Sequence, residues 1–193
     1  MSNVLRRGVR TLLDVGCRDA ALRRCLSPDI RYVGIDRFGG PGVDCVSDVE
    51  QGIPFGDRAF DAVVALDVLE HTDNIWFVFE ELVRTSRHQV VVILPNLYHW
   101  SLRLQYLLGK EMGKYALPHE PIVDRHRWLT SYQRASAFCR HMAGRHGFAL
   151  SEHVFFRVRR TLPVDAALSM VSKNLGAWAV MYVFDSLGAG GAG

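Results

Sequence analysis

A glycine, two carboxylates and two histidines stand at the spacing a ligand site requires. Gly16 closes a short apolar run, where a backbone must approach a ligand closely and a Cβ would obstruct it. Asp36 ends the next such run roughly twenty residues on, the distance at which an acid reaches ribose hydroxyls in nucleotide-binding sheets. A carboxylate there accepts two hydrogen bonds from a ribose diol and repels a 2′-phosphate. Asp48 ends a third run and is placed to meet an adenine amino group. His71 and His126 are the candidate bases, because a neutral imidazole can take a hydroxyl proton near pH 7. His99 is a third choice, and His119 reads as loop surface. On a helix, Asp67, Glu70 and His71 would share one face at i, i+3 and i+4 and could converge on a divalent ion. The same letters are common without an ion, and no metal is assigned on the sequence.

The elements that must position these residues alternate in type. Residues 11–15, 31–35, 43–46, 60–66 and 89–94 read as buried strands, the fifth halted by Pro95-Asn96. Helices are expected at 20–26 with Asp19 as cap, at 75–85, at 101–108 and at 131–146, the last ended by Gly147. Residues 148–158 and 177–184 read as two further strands, with helical spacing over 164–175. Strands alternating with helices predict a doubly wound, Rossmann-like, mostly parallel α/β sheet with helices on both faces. Such a sheet binds ligands beyond the carboxyl ends of its strands, where strand order reverses. Residues 1–187 are expected to form one domain, and the Gly/Ala tail 188–193 to be disordered.

Composition narrows the function classes. A net charge of +3 is too mild for a nucleic-acid binder, which needs a clustered basic face. The four cysteines form no CxxC pair, so they read as reduced thiols rather than staples or zinc ligands. Arg6, Arg7 and Arg10 are followed by only a short apolar run, so no signal peptide is expected. The late apolar stretch 177–184 is too short to span a bilayer, and a cytoplasmic location is expected.

Several motifs carry a family resemblance. Leu12-Leu13-Asp14-Val15-Gly16-Cys17 resembles the first motif of class I S-adenosylmethionine-dependent methyltransferases, and Tyr32-Val33-Gly34-Ile35-Asp36 their second. Pro54-Phe55 with the run from Phe60 to His71 is similar to their strand-four signature. Pro95-Asn96, His99-Trp100, Arg103-Leu104 and Leu107-Leu108 are similar to the MetW-like, methyltransferase type 11 branch. The resemblance spans roughly residues 11–160. It implies a seven-stranded sheet whose last strand runs antiparallel, with S-adenosylmethionine as cofactor. By carry-over Asp14 and Gly16 sit at the methionine portion, Asp36 at the ribose, Asp48 and Val49 at the adenine, and Leu66-Asp67 at the sulfonium side. Cys17, Arg18 and Arg37 complete the expected cofactor set.

Two departures from the pattern matter. The family loop reads GxGxG, but here it is Gly16-Cys17-Arg18-Asp19-Ala20, with arginine and alanine at two glycine positions. Arg18 could pair with the cofactor's carboxylate, turn outward, or mark a pocket that no longer binds it. The lost glycines also weigh against a nicotinamide oxidoreductase, which leans on GxGxxG for its pyrophosphate. Second, only ten residues precede the first strand, so a lid over the cofactor is expected from 109–130 instead. That segment holds Lys114-Tyr115, Pro118-His119-Glu120 and Asp124-Arg125-His126-Arg127-Trp128, a mixture suited to a polar acceptor. The leading expectation is a methyltransferase on a small polar acceptor, a hydroxyl of a sugar or metabolite. The alternative is a degenerate binding partner, since MetW-like proteins are associated with acyltransferases of methionine synthesis. A second copy of the chain or a biosynthetic enzyme stays open as protein partner.

Overall fold

Seven runs of apolar residues pair into one sheet, of strand order β3-β2-β1-β4-β5-β7-β6. The computed structural model describes residues 4–111, 115, 117, 119–120, 125–156 and 162–187. The strands are β1 (Thr11–Val15), β2 (Arg31–Asp36), β3 (Cys45–Val46), β4 (Phe60–Leu66), β5 (Ser86–Pro95), β6 (Phe148–Phe155) and β7 (Ala179–Ser186). The strands β1 to β5 are mutually parallel, and β7 runs antiparallel to both β5 and β6. The chain leaves β1 toward β2 on one side and returns to β4 on the other, so strand order reverses between β1 and β4.

Alternation along the strands gives each face its own core. Leu13, Val15, Val63, Ala65, Val90 and Val92 point to one face, beneath α1 (Ile75–Thr85) and α3 (Tyr132–His146). Leu12, Tyr32, Ala62, Val64 and Val91 point to the other, covered by Val4, Leu5 and Val9 and by Leu22 and Leu26. Strands buried on both faces read as continuous apolar runs, which is why β4 and β5 stood out in the sequence. In α1, Ile75, Val78, Phe79 and Leu82 recur at helical spacing and are buried, and Asn74 caps the helix by accepting the Phe77 N–H. Ser131 caps α3 in the same way, and Gly147 ends it in the left-handed conformation its φ of 66° requires. The remaining helices are α2 (Trp100–Leu107), α4 (Leu162–Val171) and α5 (Lys173–Gly176).

The structure corrects some expected bounds. The helix expected at 20–26 is a short 3-10 turn, Ala21–Cys25, without a side-chain cap from Asp19. Ala20 precedes it at φ 52°, so the chain enters from a left-handed residue rather than from an extended cap. The sixth strand stops at Phe155, and the run 164–175 divides into α4 and α5 around Ser172. The tail 188–193 lies outside the described residues, as do Lys114, Pro118 and Asp124 of the expected lid.

Candidate functional site

The carboxyl ends of the parallel strands carry a cavity of about 770 Å³, within the range of small-molecule sites. Because β7 is antiparallel, its first residue sits at this same edge, where Pro95 and Phe155 both pair with Ala179. The lining therefore joins Gly16, Asp36 and Asp48 on one side of the switch point to Asp67, Glu70, His71 and His126 on the other. Phe155 and Trp178 close the far edge. Arg18, Arg37 and Val49 also line it.

The loop after β1 keeps the shape of a glycine loop without its glycines. Gly16, Arg18 and Ala20 all have positive φ, at 72°, 50° and 52°. These are the three positions where the resembled pattern has glycine, and holding an L-residue there costs on the order of 1 kcal/mol each. The Gly16 and Cys17 N–H groups both donate to the Ile35 carbonyl, at 2.8 and 3.0 Å. A Cβ on Gly16 would come within 2.5 Å of the Val68 Cγ2, so this residue cannot grow a side chain without displacing the Val68 side chain.

Asp36 ties that loop to the end of β2. Its Oδ2 accepts the Arg18 N–H and its Oδ1 the Phe38 N–H, each at 3.0 Å. A carboxylate has about four acceptor sites, so each oxygen can take a further donor from the cavity. Asp48 caps the turn Val49–Gln51 through the Glu50 N–H and pairs with Arg37 at 3.4 Å. Both acids therefore stand fixed by backbone contacts, presenting acceptors along one wall.

Three expected cofactor residues stand behind the wall. Asp14, Cys17 and Leu66 are not among the lining residues: strand alternation turns Asp14 and Leu66 to the face of Leu12, and Cys17, just past β1, is buried in the same cluster with Tyr32. The buried Asp14 carboxylate accepts the Tyr32 hydroxyl at 2.7 Å. Burial raises its pKa to about 6, against the lowering effect of that hydrogen bond and with a small push from Asp36. Burial, then the charges of Asp14 and Asp36, pushes the Cys17 thiol up to about 11, which keeps it protonated.

The opposite wall is built from two segments far apart in sequence. After β4 the chain turns at Asp67, φ 56°, into a 3-10 turn, Leu69–His71. No α-helix forms there, so Asp67 does not share a helical face with Glu70 and His71. Instead residues 125–128 dock on this turn: the Arg127 N–H donates to the Glu70 carbonyl at 2.7 Å, and the Trp128 indole N–H donates to the Thr72 carbonyl at 2.7 Å. Arg127 pairs with Asp73 at 3.1 Å, and Trp128 meets Trp76 edge-to-face. His126 is thereby buried beside His71, ring centroids 4.6 Å apart.

The hydrogen bonds assign the imidazole tautomers. His71 Nδ1 lies 3.2 Å from the Arg125 carbonyl, which only accepts, so Nδ1 carries a proton and the lone pair of the neutral ring is on Nε2. The Tyr115 hydroxyl donates to the Trp128 carbonyl, so toward His126 Nδ1, at 3.2 Å, its oxygen is the acceptor. In its neutral form His126 likewise has its lone pair on Nε2. The contribution of Tyr115 has no signature in the sequence, nor do those of Phe155 and Trp178, which depend on the direction of β7. His99 is buried outside the lining, between Ser101 and Asp165, and serves to cap α2.

Residues 1–124 match the family described as methionine biosynthesis protein MetW. The chain belongs to the MetW family. No curated protein matches the sequence significantly. Among solved structures, a SAM-dependent methyltransferase from Archaeoglobus fulgidus superposes with a TM-score of 0.65 at 15% identity, covering 93% of this chain and 87% of that one. A Thermotoga maritima SAM-dependent methyltransferase gives 0.62 at 12% identity, covering 95% and 85%. The small RNA methyltransferase HEN1 gives 0.66 at 14% identity, but the match covers 96% of this chain and 24% of HEN1. At such identities the likeness is one of fold. This MetW-family chain therefore has the class I methyltransferase fold, as its strand order and the antiparallel β7 also require. Among the described residues no helix is long and apolar enough to cross a membrane.

Proposed function

We propose that this chain binds S-adenosylmethionine and transfers its methyl group to a small polar acceptor, a hydroxyl of a sugar or metabolite. One observation carries the reading: a nucleoside-type wall, Asp36 and Asp48, and an imidazole-bearing wall, His71 and His126, face the same cavity across Gly16. The residues present fit the cofactor. Asp36 has acceptor capacity left for a ribose diol, and Gly16, at φ 72° on the cavity lining, carries the β1 loop past the site without a side chain. Asp48 stands where an adenine amino group can donate to it, and Arg18 is placed to pair with an amino-acid carboxylate. When bound, the cofactor supplies an electrophilic methyl on a sulfonium. The chain's own task is to align an acceptor in line with that methyl and to take up its proton. The ring nitrogens of His71 and His126 are the basic groups on that side, and the burial of His126 against the partly exposed His71 restricts water there. The docked residues 125–128 form the acceptor-side edge of the proposed lid over 109–130.

Calorimetric titration with S-adenosylmethionine and with its demethylated product tests binding; no heat with either would overturn the reading. Screening metabolite extracts with methyl-labelled cofactor tests transfer. A second reading, a binding partner of a biosynthetic enzyme, is favoured by the MetW description and by the two missing loop glycines. It gains support from an apolar groove of about 420 Å³ beside α2, where Tyr106 and Leu107 stand exposed near Leu102 and Leu129. Cofactor binding without turnover on any extract would select it.

A further inference from the structure

Glu70, His71 and His126 each offer a ligand atom, and these atoms lie within 4.8 Å of one another. We infer that they form a site for a first-row divalent transition ion, of the manganese, cobalt or zinc class, on the acceptor wall of the cavity. The sequence pattern pointed to Asp67, Glu70 and His71 as a set. The positive φ at Asp67 and the short turn after it break that face, and residues 125–128 bring in His126 as the third group.

Three features beyond proximity support an ion. The first is orientation by outer partners. Metal-bound histidines donate their other ring N–H to a carbonyl, carboxylate or similar acceptor, which fixes the tautomer and raises ligand basicity. Both histidines do so here, His71 to the Arg125 carbonyl and His126 to the Tyr115 oxygen, and both direct the lone pair to Nε2. The second is burial. Glu70 is 1% exposed and His126 7% exposed, so bulk solvent competes little for their ligand atoms. His71 Nε2 lies 4.0 Å from Glu70 Oε1, so the donors already face one another. The third is access. All three residues line the open cavity, so an ion held by three protein ligands keeps positions for an acceptor.

The donor chemistry sets the ion class. Two imidazoles with one carboxylate suit zinc, manganese, iron or cobalt rather than calcium or magnesium, which favour all-oxygen cages. Bonds of about 2.0–2.2 Å require neighbouring donors roughly 3–3.5 Å apart, so the site must contract by about 1–2 Å as it closes on the ion. Rotation of the Glu70 and His71 side chains, adjacent on one turn, supplies that movement.

The consequence for function rests on the methyltransferase reading. An acceptor hydroxyl bound to the ion is acidified and gives its proton to water in the cavity mouth. Its oxygen pair then forms the bond to the methyl carbon while the carbon–sulfur pair returns to sulfur. The ion thus takes over the task of the imidazole base, and acceptors with two adjacent oxygens, such as diols, chelate best.

Metal binding is measurable without turnover. Chelator-treated full-length chain is titrated with manganese, followed by electron paramagnetic resonance, and with cobalt, followed by its visible bands. One saturable site is expected, weakened at least a hundredfold in His126→Ala and about tenfold in Tyr115→Phe, which keeps every ligand and removes only an outer partner. Absence of saturable binding in the wild type, or wild-type affinity in both His126→Ala and His71→Ala, overturns the proposal. Should His126→Ala fail to fold, Tyr115→Phe and Glu70→Gln decide the matter in the same assay. Cofactor titration on the same wild-type sample separates the two readings. Metal without cofactor binding sinks only the methyltransferase reading, and cofactor without metal binding sinks only the ion site.

Discussion

Removing the Asp36 carboxylate should cost more in cofactor affinity than in stability, and the structure gives the sizes. In the folded chain Asp36 accepts two backbone N–H groups, from Arg18 and Phe38, both at the solvent-exposed rim. Water can replace the carboxylate at those donors, so Asp36→Ala should lower folding stability by only about 1 kcal/mol. A bound ribose adds two charge-assisted hydrogen bonds, worth about 2–4 kcal/mol together at a half-exposed carboxylate. That corresponds to a rise in Kd of roughly thirty- to several-hundredfold. Isothermal calorimetry on the wild type and on Asp36→Ala measures it directly. The alanine variant also loosens the Arg18 loop, so a cofactor analogue lacking the ribose hydroxyls is titrated in parallel. If Asp36 holds the ribose, the analogue loses affinity against the wild type and little against the variant. Equal losses against both proteins would mean that Asp36 acts only on the loop, and would refute the ribose assignment.

Other expectations follow from the same wall. Arg18→Gly relieves a left-handed residue, and the gain of about 1 kcal/mol roughly offsets the entropy that glycine adds to the unfolded chain. Its thermal midpoint should stay within a few degrees of the wild type, and a loss of more than about 2 kcal/mol would show that the arginine side chain itself holds the loop. Asp14 has a folded pKa raised from 3.8 to about 6, so the folded state binds the extra proton between those values. Stability from this group therefore falls as pH rises through that window, and the penalty, on the order of 2–3 kcal/mol, is complete above about pH 6. Asp14→Asn should raise the midpoint near pH 7.5 and lose that advantage near pH 4; an equal shift at both pH values would contradict the burial account.

The sequence by itself determined the sheet. β4 is buried along its length, and only a continuous apolar run satisfies that, so its extent is written locally; of β5 only the apolar part 89–94 was legible, and the strand runs from Ser86, through the exposed Arg87 and His88, to Pro95. The end of α3 at Gly147 was legible for the same reason, whereas the caps Asn74 and Ser131 came only with the structure, and the cap expected from Asp19 did not form. Gly16, Asp36 and Asp48 could be placed at strand ends because loop chemistry and strand length are local too. Tertiary structure decided which of the expected residues face the ligand. Asp14 and Cys17 belong to the same motif as Gly16, yet the two-residue period of a strand turns Asp14 into the core against Tyr32. The β1 loop is another case: its residue types predict no left-handed run, and the backbone adopts one at Arg18 and Ala20, anchored at its root by the Ile35 carbonyl and at Arg18 by Asp36. The acceptor wall was least legible of all. His71 and His126 are separated by a long stretch of chain, and backbone hydrogen bonds from residues 125–128 to the turn after β4 bring them together. Such contacts involve carbonyl and amide groups that every residue carries, so no side-chain pattern announces them, and only the folded chain shows which histidines meet.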